Sequence, residues 1–331
     1  MEPMARVLVA YSPTRMGIDH TGRELVEDHI LSTVGDVVHA LKARDHKVET
    51  AALRRDPRRF LAFVQRFRTH VVFNLCEGVG GEATLEKNAA ALFELRRLRF
   101  TGSGCLALAI CLEKGLTKQI LRSARIDTPD FAVVPEGNGL AEHVELPVIV
   151  KPAMSDGSAG ITARSVCKTM EAVRKRVAYV HRSFRQAALV EKYISGREFQ
   201  VAMLGNRDPR VLAVAELSYK GLPKGMPRIC SYSAKWQPDS AYFRHTNPVM
   251  SARMPFVVRQ RLQTMALRTF QLLGLRGYAR VDFRMRGTRP QVIDVNPNPD
   301  ISRDAGLPKA ARHARISYVE LCDRIVRLAL E

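Results

Sequence analysis

The residue types best suited to chemistry stand near the C-terminal end, in Arg280-Val281-Asp282 and Asp294-Val295-Asn296. A period of two puts Arg280 and Asp282 on one face of a strand, and Asp294 and Asn296 on one face of the next. If those strands pair, two carboxylates and an amide oxygen converge. Hard oxygen ligands of this kind suit Mg²⁺, with Mn²⁺ as an alternative, and leave coordination positions for nucleotide phosphates. A polar strand face turned to water would look similar, but the turn Pro297-Asn298-Pro299-Asp300 argues against an exposed ladder.

A second candidate is Pro147-Val-Ile-Val-Lys151, which runs into Ser155-Asp156-Gly157-Ser158-Ala159-Gly160. A strand delivers a lysine, and small residues follow whose backbone N–H groups can approach an anion closely. The Ser158 hydroxyl adds a donor, so the segment reads as a phosphate clamp, although a plain hairpin has the same composition. It is neither a G-x-x-x-x-G-K-[ST] loop nor a G-x-G-x-x-G fingerprint. Glu191 and Glu198 flank a Ser195-Gly196 turn, where one could accept from an adenine amino group and the other from ribose hydroxyls. Two surface carboxylates on neighbouring strands would give the same pattern. Cys76, Ser155 and His245 show no evident base with an orienting partner, which disfavours a covalent nucleophile.

These residues need a scaffold, and alternating elements supply one. Val7–Ala10, Val48–Leu53 and Val71–Asn74 read as strands, with helices expected over 24–43 and 60–68. Strands alternating with helices imply a parallel sheet covered on both faces. A single helix is expected over 105–125, then strands 131–134 and 147–151. Strands 188–193, 198–204 and 211–217 alternate as one antiparallel sheet would. A helix over 255–273, strands 277–285 and 291–295, and an amphipathic helix over 317–330 complete the chain. Residues 218–248, rich in Gly, Pro and aromatics, read as a lid.

Composition narrows the class. The 331 residues are 46% hydrophobic, and no apolar run approaches the ~20 needed to span a bilayer. No targeting segment is apparent, so the cytoplasm is expected. The six cysteines form no C-x-x-C pair or His cluster, against a zinc site or disulfide framework. The net charge of +19 would suggest nucleic acid if it were concentrated, but the 52 basic residues are spread along the chain. Short clusters at Arg54-Arg55, Arg58-Arg59 and Arg96-Arg97-Arg99 sit at expected helix edges, so neither a nucleic acid nor a membrane partner is expected.

In order, Lys114, Val150-Lys151-Pro152, Glu191-Lys-Tyr-Ile-x-Gly-Arg-Glu198, Arg280-Val-Asp282 and Asp294-Val-Asn296-Pro resemble the ATP-grasp superfamily, and within it the D-alanine–D-alanine ligases. Val72-Phe-Asn74, Phe100-Thr-Gly-Ser-Gly104, Glu113-Lys-Gly-Leu-Thr-Lys118 and Ile316-Ser-Tyr-Val-Glu-Leu321 also fit. The resemblance implies a mixed α/β (α+β) ATP-grasp fold with a Rossmann-like parallel-sheet domain at 1–103 and ATP-grasp subdomains at 104–186 and 187–331. It implies an ATP- and Mg²⁺-dependent carboxylate–amine ligase working through an acylphosphate, on amino-acid or small carboxylate substrates. Lys114, Lys151 and Lys235 would contact phosphates, helped by Gly157 and Ser158. Glu191 and the backbone of Lys192, Tyr193 and Ile194 would hold adenine, and Glu198 ribose. Asp282, Asp294 and Asn296 would hold the metal. Arg280 would stabilise the tetrahedral intermediate, with Lys235 and Ser158 also at the reacting centre. Related ligases are often dimers, so a homodimer is implied as well.

The amino-acid end departs from that family. Its Gly-rich turn and Glu-Arg-Glu-Val-Ser give way to Ala10-Tyr-Ser-Pro-Thr-Arg-Met16 and a different helix start over 19–27. Its His-Gly becomes Leu75-Cys-Glu77-Gly78, and Gly157 falls at its substrate-orienting serine. Trp236 replaces a tyrosine, Asp300 a glycine, and Ala305 a serine. The expectation is therefore retained nucleotide chemistry with altered amino-acid selectivity. The alternative is a catalytically silent nucleotide- or nucleic-acid-binding protein with the same fold.

Overall fold

Val7, Leu8, Val9 and Ala10 are all fully buried, the continuous apolar run of a parallel strand covered on both faces. The computed structural model describes residues 4–13, 27–139, 144–250 and 252–331, so the expected helix start over 19–27 lies largely outside the described residues. Strands β1 (Arg6–Tyr11), β2 (Lys47–Ala52) and β3 (Val71–Leu75) form a parallel sheet in the order β2-β1-β3. Helix α1 (Glu27–Lys42) presents Ile30, Val34, Val37 and Leu41 to one face of it. Helices α2 (Arg58–Phe67) and α3 (Glu86–Leu95) cover the other through Phe60, Val64 and Phe93.

Helices α4 (Cys105–Leu112) and α5 (Lys114–Ser123) replace the single helix expected over 105–125. The break is Glu113, whose ψ of 92° is extended, and it sets Lys114 at the start of a helix pointing at the next sheet. That sheet runs β4-β7-β5-β6, from β4 (Phe131–Val134), β5 (Val148–Pro152), β6 (Val166–Cys167) and β7 (Ala188–Lys192). Helix α6 (Met170–Phe184) buries Val173, Val177 and Val180 against Val148, Val150 and Val190. Its N-cap Thr169 accepts a hydrogen bond from the Ala172 N–H at 3.2 Å, satisfying one of the donors a helix start leaves open.

The third sheet runs β10-β9-β8-β11-β12 and is antiparallel. It comprises β8 (Arg197–Leu204), β9 (Arg210–Ser218), β10 (Asn247–Val249), β11 (Tyr278–Arg286) and β12 (Arg289–Asn296). The expectation that the strands now labelled β7, β8 and β9 share one sheet is thus corrected. Alternation shows that a strand has one buried face, not which neighbour it pairs with. The crossing between sheets passes Gly196, where a Cβ would sit 1.7 Å from the Met285 carbonyl oxygen, so only glycine fits there.

Between β9 and β10 lie two short helices, α7 (Tyr232–Trp236) and α8 (Ala241–His245). Helix α9 (Phe256–Leu272) packs Val258, Leu262, Ala266 and Phe270 on the third sheet. Helices α10 (Gly306–His313) and α11 (Tyr318–Leu330) close the chain, and α11 returns to the first core beside α1. A buried contact of 2.9 Å between His46 Nε2 and Asp323 Oδ1 fixes that return. Helices α6 and α10 were not anticipated from sequence, and α3 only through the helix edge expected at Arg96-Arg97-Arg99. No described helix is long and apolar enough to cross a membrane.

Candidate active site

Period two decides what faces the space between the second and third sheets. With Val148, Val150 and Val190 turned to α6, Lys151 and Glu191 face the opposite way. On β11 and β12, Val281, Phe283 and Val295 turn to α9, leaving Arg280, Asp282, Arg284, Asp294 and Asn296 on the other face. The register pairs Arg280 with Asn296 and Asp282 with Asp294, the convergence expected from sequence. An irregularity follows at Asp282/Phe283, where Ile293 is skipped. The Ile293 carbonyl there accepts from Lys151 Nζ at 3.4 Å.

Ten expected residues line one cavity: Lys151, Ser158, Glu191, Lys192, Tyr193, Ile194, Glu198, Lys235, Asp282 and Asp294. Lys114, Gly157, Arg280 and Asn296 stand around it. Lys114 Nζ is 3.9 Å from Asp294 Oδ1 and 3.5 Å from Asp156 Oδ1, and it donates to the Ser155 carbonyl at 2.5 Å. Arg280 forks onto Asp282 with bonds of 2.7 and 3.0 Å. The Gly157 carbonyl accepts from Trp236 Nε1 at 3.1 Å, and the Ser158 hydroxyl donates to the Cys230 carbonyl at 2.9 Å. Asn296 Oδ1 accepts from the Asn298 N–H at 3.2 Å.

Charge dominates this space. Burial pushes the Asp294 carboxyl up, but Lys114, Lys151, Arg280 and Lys235 together bring it below its ordinary value. Burial acts against the Lys114 charge, yet Asp294 and Asp156 leave the ammonium more basic than usual. Burial keeps the Asp282 carboxyl raised despite the Arg280 guanidinium. Four cations thus converge on one carboxylate, an arrangement that favours a polyanion.

Several groups here had no assigned role. Lys118 Nζ lies 2.5 Å from Glu191 Oε2, while Lys151 Nζ is 3.4 Å from its other oxygen. Burial pushes Lys118 down to about 8, with Glu191 opposing that shift. Arg284 bonds Glu198, and Tyr219 donates to the same carboxylate at 2.7 Å. At the opposite end stand Glu77, Glu86 and Asp300, and Asp156, paired with Lys114, acts on both glutamates as a like charge. Only the departures at Glu77 and Asp300 hinted at this from sequence, and nothing singled out Glu86.

Residues 126–327 match the family model described as D-ala D-ala ligase C-terminus. The D-alanine–D-alanine ligase of Moorella thermoacetica is 34% identical over 89% of this chain and 92% of its own. The chain belongs to the D-alanine–D-alanine ligase family. The Desulforudis audaxviator D-alanine–D-alanine ligase is 30% identical, with 96% of this chain and 99% of its own aligned. The fold agrees with the Bacillus anthracis D-alanine–D-alanine ligase solved with ATP, at a TM-score of 0.77 and 19% identity over 98% of this chain and 97% of that one. The fold is therefore ATP-grasp. Family membership makes the chain an ATP-dependent ligase that forms C–N bonds, and disfavours the silent-binder alternative.

Proposed function

We propose that the chain activates a substrate carboxylate with ATP and passes the acyl group to an amine of a second small molecule. A carboxylate oxygen attacks the γ-phosphorus and the bond to the ADP oxygen breaks, giving an acylphosphate. The amine nitrogen then attacks the acyl carbon and loses a proton as phosphate leaves. The observation that carries this reading is one cavity lined by Lys151, Lys235, Asp282 and Asp294, with Lys114 3.9 Å from Asp294 and Arg280 forked onto Asp282.

Fixed cations aimed where charge develops stabilise phosphoryl and acyl transfer without reorganising. Lys114, Lys151 and Lys235 hold the phosphates in this reading, with the Gly157–Ser158 loop beside them. Glu191 and the backbone of Lys192, Tyr193 and Ile194 receive adenine, and Glu198 receives ribose. Arg280, behind Asp282, faces the tetrahedral intermediate.

Asp282, Asp294 and Asn296 suit Mg²⁺ by chemistry: hard oxygens on one face, two of them directly opposed across the β11–β12 ladder. Among the described residues no group of three or more His, Cys, Asp or Glu side chains could hold a metal by itself, so phosphate oxygens would have to complete the shell. A divalent cation there would neutralise charge on the transferring phosphoryl group.

For the substrates, relatives named for D-alanine set the class, an amino acid or small carboxylate, and Glu77, Glu86 and Asp300 favour a partner bearing an ammonium group. A reaction drawing on ATP is placed in the cytoplasm, in keeping with six free cysteines. The test is ADP release over pairs of D- and L-amino acids, with mass spectrometry of products. Lys151→Ala is expected to lower amine-dependent turnover at least about a hundredfold, the scale of losing one electrostatic contact to the transition state. Equal turnover by variant and wild type with every productive pair would overturn the site assignment.

A further inference from the structure

Arg284 has no part in the chemistry assigned above, yet it lines the nucleotide cavity and is only 4% exposed. Its guanidinium reaches three acceptors on three separate parts of the chain. One is Glu198 Oε2 on β8, and another is the Ile194 carbonyl in the crossing between sheets, at 2.9 Å. The third is the Arg228 carbonyl, within the segment 219–249 that closes over the cavity. The Tyr193 ring lies 5.2 Å from the guanidinium carbon, and its hydroxyl donates to that same Arg228 carbonyl at 3.1 Å. Tyr219, the first residue of that segment, donates to Glu198 Oε2 at 2.7 Å.

Two consequences follow from this geometry. Among the described residues both donors to Glu198 sit on Oε2, so Oε1 is the oxygen left to accept from a ligand. A guanidinium is also a rigid planar fork, so its three acceptors cannot move independently while all three bonds are kept. A hydroxyl donating to Oε1 fixes the carboxylate plane. A fixed carboxylate holds Arg284 and Tyr219, and through them both Arg228 and the start of the closing segment.

We propose that Arg284 is a positioning residue that makes closure of residues 219–249 depend on a ribose hydroxyl bound at Glu198. The ligand class is thereby narrowed to nucleotides with an intact ribose. The inference rests on the reading of this cavity as the nucleotide site.

The test compares wild type with Arg284→Met, Arg284→Lys and Tyr219→Phe in the full chain. ADP release is measured with ATP, 2′-deoxy-ATP and 3′-deoxy-ATP. Hydrogen exchange is followed across residues 219–249 with and without ADP. In wild type, at least one deoxy analogue is expected to show a KM about tenfold above that of ATP, the scale of one hydrogen bond to a charged group. Arg284→Met should shrink that gap to about twofold, raise KM for ATP more than it lowers kcat, and abolish ADP-dependent protection of the segment. Arg284→Lys, a single point charge, should restore discrimination through Glu198 but not the protection. Tyr219→Phe removes one anchor without leaving a buried charge, and should weaken the protection on its own.

If a folded Arg284→Met keeps both the discrimination and the protection, the inference fails. Should that variant not fold, unchanged protection in both Arg284→Lys and Tyr219→Phe overturns it equally. Absence of any nucleotide effect in wild type would instead sink the nucleotide reading beneath it.

Discussion

Lys118 illustrates how much of a site rests on residues that need never touch a substrate. Its ammonium lies 2.5 Å from Glu191 and 2.7 Å from Thr128 Oγ1, with 3% side-chain exposure on both ion-pair partners. Lys151 stands farther from Glu191, at 3.4 Å, and is the residue assigned to the phosphates in the function proposed above. In the proposed reading Lys118 is thus what holds Glu191, the carboxylate assigned to adenine, when Lys151 turns to phosphate. Removing one partner of a buried pair leaves the other charge uncompensated. Lys118→Met is expected to cost about 3–5 kcal/mol in denaturant unfolding and to raise KM for ATP, with kcat less affected. Unchanged stability would mean that Lys151 alone satisfies Glu191. The roles of Lys118, Arg284 and Tyr219 were not legible in the sequence, even though Lys118 closes a stretch that carries the resemblance, because each acts through a partner far away along the chain. Asp282 and Asp294 were legible because period two and one strand pairing suffice to join them.

Among the elements, the segment 219–249 carries the largest mechanical demand. It is pinned by the Trp236 bond to Gly157, the Ser158 bond to Cys230, and the Tyr232 N–H to the Ile161 carbonyl at 2.9 Å. Gly157 and Ser158 both have φ near 60°, and the second is not glycine, so the loop carries a local cost of about 1–2 kcal/mol. The cavity beneath is about 80 Å³, far below the ~300 Å³ at which ligand sites begin. A segment that lifts would admit a nucleotide and, on returning, exclude water. Trp236→Phe keeps the ring and loses the N–H that reaches Gly157. It is expected to raise ADP release without amine about fivefold, the worth of one hydrogen bond, as water gains access to the acylphosphate. The ratio of ADP to coupled product measures this, and an unchanged ratio would show that the other bonds hold closure alone. Composition marked this segment as a lid, but its latch was not legible, since it joins Trp236 to a loop some eighty positions earlier. Sheet membership failed for a related reason: alternation in β7 and β8 looks alike in either sheet, and only Gly196 marked the crossing.

For the whole molecule, the +19 balance conceals a division within the cleft. Lys114, Lys151, Lys235 and Arg280 all act on Asp294, on the side proposed for the phosphates, whereas the short Arg clusters near residues 54–59 and 96–99 are exposed. The opposite side is acidic. Burial, then Asp156 and Glu77, pushes the Glu86 carboxyl up to about 8, against a bond of 3.3 Å from Asn298. Burial, then Asp300 and Asp156, pushes Glu77 up to about 7. Glu77 is the more solvent-exposed of the two, so screening weakens its effect and Glu86 carries the larger share. Both hold protons in the folded chain at pH values where the unfolded chain, with carboxyls near 4.5, has released them. Stability contributed this way is present below about pH 4.5 and is lost as pH rises through about 7 to 8, levelling off above. Thermal melts of wild type and Glu86→Gln across that window isolate the effect: the variant should gain on wild type as pH rises. An ammonium ligand reverses the balance, because it favours the ionised carboxylates and expels their protons. Calorimetry of substrate binding near pH 7.5 in buffers of different ionisation heat should therefore record proton release in wild type and less in Glu86→Gln. Parallel melting curves and no proton release would show Glu86 already ionised, and would remove the argument that this end of the cleft selects a cationic group.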